Sequence, residues 1–125
     1  MQHERTHQWL NEQLRTIWDT YFADVAALNT VTITWGRQSR TRLGSISIKG
    51  GTAQHPTQSV IRISALLRNP AIPEVVVHHT IFHELAHYSH GFCSPHPRKH
   101  QHPHRGGVIE QEFHTRNATH MYNEG

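Results

Sequence analysis

The pattern of the chain predicts an α+β fold: a long N-terminal helix, a three-stranded antiparallel sheet, a helix, a His/Pro-rich loop and a closing helix. Three observations carry this expectation. Apolar residues recur three or four positions apart over residues 3–28, 72–88 and 108–122, the spacing of one helix face. Between the first two segments, short runs rich in β-branched residues alternate apolar with polar, as half-buried strands do. The strands form one block rather than alternating with helices, which favours an antiparallel meander with helices against it.

The first helix carries Trp9, Leu10, Leu14, Ile17, Trp18, Tyr21, Phe22, Val25 and Leu28 on one stripe, which reads as core packing. Asn29-Thr30 breaks the pattern. Val31–Trp35 is the first expected strand, and Gly36–Thr41 a polar turn. Arg42–Lys49 is the second strand, centred on Ile46 and Ile48 and ended by Gly50-Gly51. Ser59–Ser64 is the third. Asn69-Pro70 and Ile72-Pro73 then punctuate the approach to the next helix. No internal repeat is visible.

At 125 residues the chain is expected to form one domain spanning residues 1–125. Its 35% hydrophobic content suffices for a small core built from aromatic and branched side chains. No apolar run reaches 18 residues, and Met1-Gln2-His3-Glu4-Arg5 has no signal-like apolar stretch, so the expected location is the cytoplasm without a membrane partner. A single cysteine, Cys93, excludes an internal disulfide. The net charge of +3 is a mild excess. Arg37, Arg40 and Arg42 form the nearest approach to a basic cluster, better read as a solvated loop than as a nucleic-acid contact.

The larger anomaly is 14 histidines, and two of them sit in His83-Glu84-Leu85-Ala86-His87. Residues four apart on a helix share a face, so the two imidazoles can grip one metal ion. Glu84 points to the flank, where it can reach a water on that ion, which is the logic of H-E-x-x-H in zinc metallopeptidases. The motif lies inside Ile72–Tyr88, which frames it as a helix. Pro73 stands near the first turn, Glu74 suits the positive helix end, and Gly91 follows as a stop. Val77, Ile81, Leu85 and Tyr88 supply that helix with its own core-facing stripe.

A catalytic zinc takes three protein ligands and keeps one position open. Downstream candidates for the third are His90, His96, His100, His102, His104, Glu110 and Glu112. His90 shares the helix and points along its axis rather than closing a tetrahedron. Most of the others fall in Phe92–Gly107, whose prolines and histidines preclude a regular element. His79, one turn before His83, can line the cleft or hydrogen-bond to a ligand. Cys93 is a remote ligand candidate.

Three strands, a helix bearing H-E-x-x-H and a His before a closing helix resemble the SprT-like zinc metallopeptidases. Trp35-Gly36, Arg42-Leu43-Gly44 and Val60–Ser64 running into Leu66-Leu67 and Ile72-Pro73-Glu74 add to the likeness, which covers roughly residues 30–115. In that family the third ligand is a His in a Pro-His-Gly setting with a large apolar residue four positions later. Pro103-His104-Arg105-Gly106-Gly107-Val108 matches with the Gly displaced by one. The resemblance implies a minimal zincin-like domain holding one Zn²⁺ through His83, His87 and His104, with Glu84 as general base.

The expected function is then hydrolysis of a protein or peptide substrate. An extended substrate could add to a sheet edge, which residues 59–64 are expected to offer. The alternatives are a zinc hydrolase acting on a phosphate ester or nucleotide, and a non-catalytic His-rich metal-binding module.

Overall fold

The computed structural model describes residues 3–99 and 107–121. In chain order they form helix α1 (His7–Tyr21), strands β1 (Thr30–Trp35), β2 (Gly44–Gly51) and β3 (Pro56–Ile63), a 3₁₀ turn (Ala65–Arg68), and helices α2 (Glu74–Ser89) and α3 (Val108–Thr115). The expected α+β class holds.

α1 starts where Thr6 accepts a hydrogen bond from the Trp9 amide at 3.0 Å, satisfying one of the amides a helix start leaves open. It ends earlier than its periodicity implies. The Phe22 amide closes on Trp18 O, but Phe22 has left helical geometry (φ −126°, ψ 29°). Beyond it, the Trp18 indole donates to Val25 O at 2.8 Å. Val25 therefore packs on the core from a turn, and Leu28 is exposed.

The sheet is mixed, not antiparallel. Its order is β1-β3-β2, with β3 parallel to β1 and antiparallel to β2. Thr32 pairs with Val60, and Ile46 with Ile61. Instead of folding back beside β1, residues 36–43 carry the chain across the space β3 fills, about 9–10 Å at the usual strand spacing. Alternation reports which face a residue occupies and says nothing about which strand lies beside it. One consequence corrects the substrate-binding expectation. Residues 59–63 lie in the central strand, paired on both sides, so they present no edge. The edges belong to β1 and β2.

α1 packs on β1, and α2 on β2 and β3. The shared core joins Leu10, Leu14 and Ile17 of α1 to Ile33, Ile46, Ile61 and Ile63 of the sheet and to Val77, Ile81, Phe82 and Leu85 of α2. Each fully buried side chain of this size contributes about 1.5–3 kcal/mol. Phe82 is the hub: its ring stacks on Phe113 of α3 at 4.0 Å and meets Phe22 at 4.7 Å.

The end of α2 is tied down twice. Tyr88 OH donates to Asn29 Oδ1 at 2.8 Å, while Asn29 Nδ2 donates to Ser59 Oγ at 3.0 Å. Ser59 in turn donates to Cys93 O at 2.6 Å. This chain satisfies the fully buried Ser59 and joins α2, β3 and the following loop. The helix stops at Gly91, whose φ of +82° suits glycine. A Cβ there would also meet Pro97 O at 2.5 Å, so the loop folds back tightly against the helix end.

Candidate metal centre

Helix α2 brings His83, Glu84 and His87 to one cleft, as their spacing predicts. The two imidazoles meet edge to face, with Nε2 atoms 3.1 Å apart. Two nitrogens bound tetrahedrally to one zinc ion at about 2.0–2.1 Å lie about 3.3–3.4 Å from each other. The observed pair, in mutual hydrogen-bonding contact, is close to that separation. The residues present therefore fit a divalent cation with a preference for imidazole.

Glu84 lies in the cleft wall at 5% exposure. Burial pushes its carboxyl up to about 7, and the guanidinium of Arg42 opposes the shift. A carboxyl in that range can both take and return a proton near neutral pH. The opposite wall is the start of β2. Gly44 is pressed against Glu84 so closely that an added Cβ would lie 3.1 Å from Glu84 Oε2 and 2.5 Å from Thr80 Cγ2. The cleft between them has a volume of about 330 Å³, with Arg42, Leu43, Ile46 and Phe92 on its rim.

Among the described residues no third His, Cys, Asp or Glu completes a metal-holding group. His100, His102 and His104 lie outside the described residues, so the expected third ligand does too. The remaining candidates are accounted for. His96 bonds Ala26 O through Nε2 at 2.7 Å and packs against Tyr88. Glu110 is exposed on α3. Glu112 accepts from His90 Nε2 at 2.6 Å and from Arg116 Nε at 2.7 Å. Those partners hold its carboxyl low, at about 2. His90, 2% exposed, is thereby committed to bracing α2 on α3.

His79 does line the cleft, its ring stacked on Phe113 at 4.7 Å, and burial lowers its pKa. His78 points the other way, donating to Gln13 Oε1 of α1 at 2.7 Å. Burial raises the Cys93 thiol, with the Glu84 charge adding to the effect.

Spacing alone did not reveal the contribution of Gly44, Thr80 and Arg42. Gly44 and Arg42 had a signal in the Arg42-Leu43-Gly44 stretch that resembles the SprT-like family, Arg42 also in the cluster with Arg37 and Arg40, and Thr80 had none. Among the described residues no helix is long and apolar enough to cross a membrane. Comparison with protein-family models and with curated protein sequences found no match.

Proposed function

We propose that this chain is a zinc-dependent peptidase of the SprT-like kind. The observation that carries the reading is the facing pair of imidazole nitrogens on His83 and His87, with the buried Glu84 carboxyl beside them in an open cleft. His83, His87 and His104 would hold the ion. When bound, zinc supplies Lewis acidity to a scissile carbonyl and makes a water a better nucleophile near neutral pH.

The protein's own groups do the rest. Glu84 takes the proton from the attacking water and delivers it to the leaving amine. Burial of Glu84 on α2 against Gly44 limits the access of bulk water to that carboxyl. The substrate is positioned by β2 rather than β3. β2 is an edge strand, and its first residues already form the cleft wall beside His83 and Glu84. An extended peptide adding to that edge by backbone hydrogen bonds lies across the site with little demand on its sequence.

The test is Glu84→Gln, since this residue is not a ligand in the scheme. The variant should keep one bound zinc and lose casein or disordered-peptide cleavage by at least about a hundredfold, the usual scale of general-base loss. Undiminished cleavage would sink the reading. Turnover of phosphate esters or nucleotides without peptide cleavage would favour a different hydrolase, and no turnover by zinc-loaded protein would favour a metal-binding module.

A further inference from the structure

A second pocket opens off the cleft at the end of the sheet. It has a volume of about 340 Å³ and is lined by Arg37, Arg42 and Arg62 together with Ser39, Ser45 and Ser64. Thr41, Arg42, Gly44 and Ser45 belong to both spaces, so the pocket and the cleft share a wall.

Three arginines converge here from separate parts of the chain. Arg37 and Arg42 stand at the two ends of the β1–β2 connection. Arg62 rises from central β3, paired with Ser45 of β2 and Thr34 of β1. None of the ion pairs among the described residues engages any of the three. The Glu84 carboxyl, in the adjoining cleft, feels the charge of Arg42. Arg62 lines the pocket but donates to a neutral partner outside its lining, Ser47 Oγ, at 2.6 Å, a bond it must exchange to meet a ligand there. No Asp or Glu is among the residues that line the pocket, so its lining is positive.

The connection that carries Arg37 and Arg42 is held in shape. Ser39 N donates to Ser64 Oγ at 2.8 Å and Ser64 Oγ donates to Ser39 O at 2.7 Å. Arg42 N donates to Ser39 Oγ at 3.0 Å, and Ser64 N donates to Leu43 O at 2.7 Å. A loop backbone braced in this way leaves only the exposed Arg37 and Arg42 side chains to be ordered on binding.

We propose that this pocket is a substrate subsite for the carboxylate of an Asp or Glu side chain, so that the enzyme selects peptides with an acidic residue a short distance from the bond it cuts. The inference rests on the peptidase reading above. Guanidinium forks match carboxylates in charge and geometry. A nucleic-acid track would string cations along a face to follow successive phosphates, with aromatic rings between them. Here the three arginines line one space that shares a wall with the cleft where β2 would take a substrate strand.

The experiment compares peptides that differ only by Glu or Gln at scanned positions around the cleaved bond. Cleavage is read with zinc-loaded wild-type protein, and binding by fluorescence anisotropy on zinc-loaded Glu84→Gln, so the binding arm does not depend on turnover. The Glu peptide should be favoured about tenfold at one position, in kcat/KM and in affinity, as for a charge-assisted contact. Arg37→Glu and Arg62→Glu should abolish that preference and shift it toward a Lys peptide. Such a reversal cannot come from a variant that merely folds poorly. Equal cleavage and binding of Glu and Gln peptides, or a preference untouched by the reversals, overturns the subsite and leaves the peptidase reading standing. Cleavage of no peptide at all overturns the peptidase reading, and the subsite with it. Oligonucleotide binding lost in the same variants, without peptide discrimination, assigns the pocket to phosphate instead.

Discussion

His83 and His87 face each other across one turn of α2 with their Nε2 atoms 3.1 Å apart. On the proposed zinc reading both histidines are ligands. His83→Ala and His87→Ala should each weaken zinc binding by at least about a hundredfold, because a ligand lost from a three-residue site is not replaced. Competition against a chromophoric chelator measures this directly. Wild-type affinity in either variant would remove the basis of the site.

The third ligand can be assigned by the same titration. His104→Ala should lower zinc affinity, while His100→Ala and Glu110→Ala should not. Full affinity in His104→Ala would show the resemblance to be misleading at that position.

Gly44 has a role that its place at a strand start does not advertise. Gly44→Ala puts a methyl 2.5 Å from Thr80 Cγ2 and 3.1 Å from Glu84 Oε2. Overpacking of this kind costs about 1–3 kcal/mol, and here it also displaces the proposed base. Urea denaturation and peptide cleavage should both register the loss. Adding Thr80→Ser removes the obstructing methyl and should recover part of the stability. No recovery in the double variant would place the strain elsewhere.

Glu112 makes stability depend on acid. Its folded carboxyl is held at about 2, below the ordinary 4.5, first by the hydrogen bond from His90 and then by Arg116. A depressed carboxyl stabilises the fold above its unfolded value, and that contribution is lost as pH falls from about 4.5 toward 2. Discounted for partial exposure, the effect is about 1–2 kcal/mol. The urea midpoint of wild type should therefore drop more between pH 5 and pH 3 than that of Glu112→Gln. Parallel curves would mean that the contact with His90 contributes no net pH dependence.

How much of this was legible in advance differs from element to element. The α2 helix was readable almost to the residue, because Pro73, Glu74 and Gly91 are local signals and act within one turn. With the helix came the placement of His83, Glu84 and His87, since four-residue spacing on a helix is itself a distance. α1 was overextended: Val25 keeps the apolar spacing, but it reaches the core from a turn held by the Trp18 indole. Periodicity records burial, and a turn can bury a side chain as well as a helix can.

The sheet shows the other limit. Each strand was recognisable from its alternation, yet the partner order was not, because β1 pairs β3 through residues distant in the chain. That order decides which strand offers an edge to a substrate, and it gives the edge to β2. It also gathers Arg37, Arg42 and Arg62 around one pocket, although in the sequence Arg62 stands apart from the other two.

The sequence by itself determined the α+β class and the helix bearing His83, Glu84 and His87. Both follow from interactions within a few residues along the chain. Only the tertiary structure decided that β3 is central, that Gly44 closes on Glu84, and that His90 and Glu112 are spent on each other rather than on a metal. These depend on which surfaces of distant segments meet when the core closes, and packing of that kind leaves no periodic mark on the chain.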